Sequence, residues 1–189
     1  MKNKILNCAI KVYMSEGYKN FSMRKVAKCA EITATAIYRH FENKDDLILA
    51  IVSEGFRLLE RFVLNVAKEE ASEKERLILT QKSYLDFAFS YPMFYELMFM
   101  RGSNIGDIMR SDDEKYKQMR GTFLMMVERV SACMNKGDIR KADPMKTAFK
   151  IFAFAHGTVS LYLADRIRMD KEQFEREYME ALTEYIELL

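Results

Sequence analysis

Residues 22–41, SMRKVAKCAEITATAIYRHF, read as two short helices joined by a tight turn. Ser22 is placed to cap a helix from Met23 to about Cys29, and Thr33 to cap another from Ala34 to about His40. Two helices that cross steeply need a small residue at the crossing, which Ala27 supplies. Val26, Ala30, Ile32 and Ile37 fall at spacings that let them meet between the pair and the helix before it. The second helix is short and starts with small residues. Ala34, Thr35 and Ala36 leave room for a helix N-terminus to approach base edges in a major groove. Tyr38, Arg39 and His40 follow, with Lys44 at the next helix start, groups suited to phosphates. Glu31 holds the turn position where glycine is usual, and a left-handed backbone there costs a non-glycine residue about 1–2 kcal/mol. A plainer reading stands beside this one. Tyr38, His40 and Lys44 also suit the surface of an ordinary helix pair, Phe41 suits its core, and Ala34 and Ala36 suit close packing.

Working outward, helical periodicity continues in both directions. A first helix runs from about Asn3 to Glu16, with Ile5, Ala9, Val12 and Tyr13 on one face and Gly17 as its stop. Asn43 caps a long helix opening Lys44-Asp45-Asp46, acids that suit the N-terminal dipole, and extending to about Lys68. Ser72–Glu75 is a capping box for a helix to about Ser90. Pro92 restarts the chain at a first helical position, where its missing N–H costs nothing. Ser111–Glu114 is a second capping box, with a helix to Lys136 before Gly137, and Asp143-Pro144 and Asp170 open the last two helices. Residues 101–110 form the one long loop. No internal repeat or low-complexity tract interrupts the pattern.

Seven glycines and two prolines in 189 residues are about half the usual share. So few turn formers exclude a β-sandwich or barrel and leave an all-α chain of about nine helices. Residues 1–50 carry a net charge of +4 and the remainder −2, a modest pointer to a polyanion partner. Cys8, Cys29 and Cys133 make no C-x-x-C pair, and each reads as a small buried apolar residue in a reducing cytoplasm. The N-terminal stretch lacks the apolar core of a signal peptide, and no apolar run approaches membrane-spanning length. Catalysis finds no support. The two histidines, His40 and His156, lack the Glu-x-x-His spacing of a di-metal bundle, and no nucleophile motif or phosphate loop is present. No cofactor and no metal are expected.

The stretch GYKNFSMRKVAKCAEITATAIYRHFENKDDL, residues 17–47, resembles the DNA-binding domain of tetracycline-repressor (TetR) type regulators. The likeness rests on Val26-Ala27, Tyr38-Arg39-His40-Phe41 and Lys44-Asp45-Asp46-Leu47 in that order and spacing. It implies an N-terminal three-helix domain with a helix-turn-helix, residues 1–46. It also implies a helical ligand-binding and dimerisation domain, residues 47–189. By the same resemblance Arg24, Thr33, Ala34, Thr35 and Ala36 face bases or nearby backbone, and Tyr38, His40 and Lys44 face phosphates; Ser22, Met23 and Arg39 complete the expected DNA-binding set. Glu31 in place of glycine and Ala36 in place of threonine or serine depart from the family pattern. Residues 91–98 and Ala155-His156-Gly157 are similar to one TetR C-terminal subgroup, although that subgroup often has a tryptophan before His-Gly and this chain has none.

The resemblance implies a homodimeric repressor that binds a palindromic double-stranded DNA operator and leaves it on binding a small-molecule effector. The alternative is a helical adaptor that keeps the fold without binding DNA. Met and aromatic residues crowd the body, where they are either core or pocket wall. Tyr84, Phe87, Met98, Met119, Phe123 and Met126, with His156, are the expected lining of a mostly apolar effector cavity. Leu161, Leu163, Ile167, Phe174, Tyr178, Ala181, Leu182, Tyr185 and Ile186 are either interior or a stripe that pairs with its two-fold copy.

Overall fold

Six helix starts are fixed by a local side-chain hydrogen bond that the sequence encodes, at Ser22, Thr33, Asn43, Ser72, Asp143 and Asp170. The structure is a computed structural model that describes residues 1–64, 71–100 and 117–189, side chains at 117–119 excepted. Three helices make the N-terminal head: α1 (Lys2–Asn20), α2 (Met23–Ala30) and α3 (Ala34–Ile37). The helical run of α1 is interrupted at Gly17 (φ 68°, ψ 177°), with one more turn beyond, so the expected stop is a break inside the element. The Lys25 amide donates to Ser22 Oγ (3.4 Å) and the Ala36 amide to Thr33 Oγ1 (3.2 Å), as the cap positions require. Regular α3 is shorter than expected. Beyond Ile37 its carbonyl accepts from the amides of both His40 (2.8 Å) and Phe41 (3.0 Å), which closes the helix in a turn.

Helix α4 (Lys44–Leu64) leaves the head without a linker. The Asp46 amide donates to Asn43 Oδ1 (2.9 Å), and the Glu42 amide to Asp46 Oδ2 (3.1 Å). The expected extension to Lys68 lies outside the described residues, as do the loop 101–110 and the capping box Ser111–Glu114. The body continues with α5 (Glu73–Ser90), α6 (Pro92–Tyr95), a π-helical turn over Glu96–Met100, α7 (Lys117–Lys136), α8 (Pro144–Leu163) and α9 (Lys171–Glu187). The capping box at Ser72 and Glu75 is complete, and Asp143 and Asp170 cap α8 and α9. The described residues are all-α, with no strand.

The head buries Ile5, Ala9, Val12 and Tyr13 of α1 against Val26, Ala27 and Ala30 of α2 and Ile37 of α3. Phe41 is buried with them. Cys8 and Cys133 are buried, whereas Cys29 lies exposed on α2 and is no core residue. Burial pushes the Cys133 thiol up to about 11, so it stays protonated. In the body α4, α5, α7 and α8 pack on one another, and α9 closes the outside of α5 and α8. Phe174, Tyr178, Leu182 and Ile186 of α9 are buried in the protomer, which makes those four interior, whereas Leu161 and Ala181 of the same expected stripe are exposed.

One backbone position has a direct consequence for the head. The Ile32 amide donates to the Ala27 carbonyl (3.1 Å) and the Glu31 amide to that of Lys28 (3.3 Å), a Schellman ending. It places Glu31 in the left-handed region at φ 55°, ψ 44°. The same ending recurs at Gly137 (φ 81°) and Asp165 (φ 56°).

Candidate nucleic-acid interface and body cavity

The turn at Glu31 folds α3 back across α2 and leaves the N-terminus of α3 at the surface. Thr33, Thr35, Tyr38 and Arg39 are exposed, and Ala34, Ala36 and His40 are half-buried. Arg24 is exposed on the first turn of α2 beside half-buried Ser22. Met23 differs from these, because its side chain is buried in the head core and only its backbone is left to meet a ligand. Ser22 and Thr33 use their oxygens as cap acceptors, so each hydroxyl proton stays available to an acceptor such as phosphate. Tyr38 is 53% exposed, a large aromatic that the head's own packing does not use. Lys44 joins head to body: its ammonium sits 4.8 Å above the Tyr18 ring and 5.8 Å from that of Phe21. Lys25, also on α2, pairs with Glu16 of α1. What results is a protruding helix end flanked by cations, the arrangement that lets a helix enter a groove while its surroundings hold the backbone.

The second feature is a cavity of about 420 Å³ in the body. Its wall takes Phe56, Leu59 and Val63 from α4 and Thr80, Gln81 and Tyr84 from α5. Met98 and Phe99 come from the π-helical turn, Thr122, Phe123 and Met126 from α7, and Phe149, Phe152 and His156 from α8. Five of the seven expected residues, Tyr84, Met98, Phe123, Met126 and His156, are in this wall. Phe87 is not. It is fully buried away from the cavity, edge-on to Phe62 (5.9 Å between centroids) and beside Tyr91. The Met119 side chain lies outside the described residues. The α4 residues, the polar pair Thr80 and Gln81, and Phe99, Thr122, Phe149 and Phe152 lie outside that expectation. For the α4 residues and the polar pair the signal was a helical i, i+3, i+7 repeat on α4 and two polar groups on an otherwise apolar α5 face.

At one end of the cavity two phenols and an imidazole are bonded together. The Tyr84 hydroxyl donates to the Tyr95 oxygen (3.1 Å), and both lie near His156 Nδ1, at 3.2 and 2.8 Å. Burial raises the pKa of both phenols above the usual tyrosine range and lowers that of His156. All three groups are therefore neutral near pH 7. The direction of the bonds at Nδ1 is set by the imidazole tautomer, because each hydroxyl can donate or accept. The imidazole stacks on Phe152, 5.7 Å between centroids at 10°.

Head and cavity share α4. It starts at Lys44 and reaches the wall at Phe56, roughly 18 Å along its axis at 1.5 Å per residue. Between them Gly55 is pressed against the π-helical turn. A Cβ there would lie 2.5 Å from Met98 Sδ and 2.9 Å from Phe94 Cδ1.

The tetR-family domain of bacterial regulatory proteins matches residues 5–51, and the tetracyclin repressor-like C-terminal domain matches residues 79–185. The chain belongs to the TetR family. Membership makes it a DNA-binding transcriptional regulator, a non-enzymatic role. The fatty acid metabolism regulator protein of Bacillus subtilis strain 168 is 32% identical over 77 residues, 40% of this chain and 39% of that protein. The chain thus spans about two-fifths of that relative's length. A Rhodococcus sp. RHA1 protein of unknown function superposes with a TM-score of 0.78 at 19% identity, covering 98% of this chain and 94% of the other. A TetR-family regulator structure from Syntrophomonas wolfei gives 0.75 at 17% identity, covering 98% and 94%. At such identities these structures establish the fold. For this TetR-family regulator, no helix among the described residues is long and apolar enough to cross a membrane.

Proposed function

We propose that this regulator is a cytoplasmic repressor that binds a palindromic operator as a homodimer and is released by a small, largely apolar effector. In this reading residues 1–46 hold the DNA and residues 47–189 hold the effector and the second subunit. The carrying observation is that one helix, α4, begins at a candidate phosphate contact, Lys44, and ends in the cavity wall at Phe56, Leu59 and Val63. Arg24, Thr33, Ala34, Thr35 and Ala36 meet the groove, with Ser22 and the Met23 backbone beside them. Tyr38, Arg39, His40 and Lys44 hold phosphates.

Release works by population shift. The effector binds better to the arrangement in which the two heads do not fit successive major grooves, about 34 Å apart. Occupying the cavity presses on Met98, whose side chain lies against Gly55, so the displacement passes to α4.

The dimer face is drawn from α8. Met145, Phe149, Ala153 and Leu161 form an exposed apolar stripe along it, with half-buried Gly157 in line. No described residue would meet a Cβ at Gly157, so a glycine there is open to the close approach of a partner helix.

The test is duplex binding by the Tyr38→Ala and Lys44→Ala variants, read by fluorescence anisotropy across a salt series. Each loses affinity, and loss of the Lys44 phosphate contact from both protomers flattens the log–log salt slope by about 1.8. Unchanged affinity in both folded variants supports the adaptor reading instead.

A further inference from the structure

Three threonines inside the helices of this protein give their hydroxyls to the carbonyl four residues back. Thr80 donates to the Arg76 carbonyl (2.8 Å), Thr158 to that of Phe154 (2.9 Å) and Thr183 to that of Met179 (2.7 Å). Thr122, in the cavity wall, does not. Its Oγ1 is buried and has no hydrogen-bond partner. A buried hydroxyl left without a partner is destabilising, and such groups are few in native proteins.

A second donor, held only by a weak acceptor, lies close by. Gln81 is 2% exposed, and its Nε2 donates to the thioether of Met126 at 3.4 Å, a weak acceptor for an amide. Met126 stands one turn along α7 from Thr122, so the two side chains share a face. The Gln81 amide and the Thr122 hydroxyl therefore converge on the same part of the wall from two helices. Around them the described wall is Phe, Leu, Val, Met and Tyr, with Thr80 and His156 as its other polar members. None of the described lining residues is Asp, Glu, Lys or Arg. An ion moved from water into such a lining loses its hydration for nothing of opposite charge, whereas a neutral oxygen gains two donors.

Resting on the reading of this cavity as the effector site, we propose that its ligand is an uncharged amphiphile. An ester, ketone or amide oxygen accepts from Gln81 and Thr122, and the apolar remainder fills the aromatic wall. At the packing density of protein interiors, about 0.74, the cavity takes about 310 Å³ of ligand, a chain or ring system of modest length and not a large conjugate.

The experiment uses the full chain and four probes that share a ten-carbon chain, below their aggregation concentrations: methyl decanoate, decane, sodium decanoate and decyltrimethylammonium bromide. Binding is read by the shift in melting temperature and by calorimetry, for the wild type and for Thr122→Val. That variant keeps the shape and removes the hydroxyl. The expected result is a rise in melting temperature with methyl decanoate and at least tenfold weaker binding of both ions. Thr122→Val binds methyl decanoate several-fold more weakly and decane unchanged, and it melts higher than the wild type without ligand because the unpartnered hydroxyl is gone. Decanoate binding as tightly as its ester overturns the ligand class while leaving the cavity as an effector site. Equal ester binding by Thr122→Val, with the melting temperature of the free protein unchanged, overturns the seat at Thr122. Failure of all four probes removes both the class and the effector reading beneath it.

Discussion

Glu31 offers a quantitative test of the head's construction. Its backbone is left-handed (φ 55°, ψ 44°), which costs a residue with a Cβ about 1–2 kcal/mol. Glycine escapes that cost but loses more conformational freedom on folding, about 0.5–1 kcal/mol. The side chain contributes little that would be missed. It is highly exposed, and its ion pair with Lys4 is 3.8 Å long between two solvated groups. Glu31→Gly therefore stabilises the protein by about 0.5–1 kcal/mol, a rise of roughly 1–4 °C in melting temperature for a chain of this size. Glu31→Ala is the control: it removes the charge and the ion pair but keeps the Cβ in the left-handed region, so its stability matches the wild type. Chemical denaturation read by far-ultraviolet circular dichroism measures all three proteins. A Glu31→Gly protein no more stable than Glu31→Ala would refute the reasoning, because the backbone term is the only difference between them.

Phe87→Ala, at a fully buried site outside the cavity, lowers stability by about 3–5 kcal/mol while leaving affinity for a cavity ligand near that of the wild type in the folded fraction, measured by denaturation and calorimetry. Burial depresses the His156 pKa, so the unfolded chain takes up more protons than the folded one as pH falls through about 6.5. This histidine's contribution is accordingly intact above that value and lost on acidification towards the folded pKa. His156→Gln flattens the stability profile between pH 7 and 5, as equilibrium denaturation at each pH reports. Leu161, 50% exposed on the proposed dimer face, gives a monomer in analytical ultracentrifugation when changed to Glu, with circular dichroism unaltered.

Much of the fold was legible because helix caps are local. Ser22, Thr33, Asn43, Ser72, Asp143 and Asp170 each accept an amide two or three residues ahead, a bond that needs no tertiary context. The left-handed turn at Glu31 was legible for the same reason, from its place between two short helices. The cavity was legible only in part. Periodicity shows which face of a helix is apolar, but not whether that face meets another side chain or a void. Phe87 and Tyr84 are three residues apart on α5, and one packs against Phe62 while the other lines the cavity. Nothing local marks Glu96–Met100 for a π-helical turn, since that turn depends on how α6 packs against α4. Phe56, Leu59 and Val63 looked like any core stripe until α4 was set beside α7.

The most direct measurement is selection of duplexes by the purified protein from a random pool at low ionic strength. Two heads on a two-fold axis predict an inverted repeat whose half-sites lie one helical turn, or a multiple of it, apart. Enrichment is predicted to vanish in a Tyr38→Ala, Lys44→Ala double variant that still folds. A pool that stays random, or a recovered sequence that the double variant binds equally well, contradicts the claim that α3 and its flanking cations read DNA.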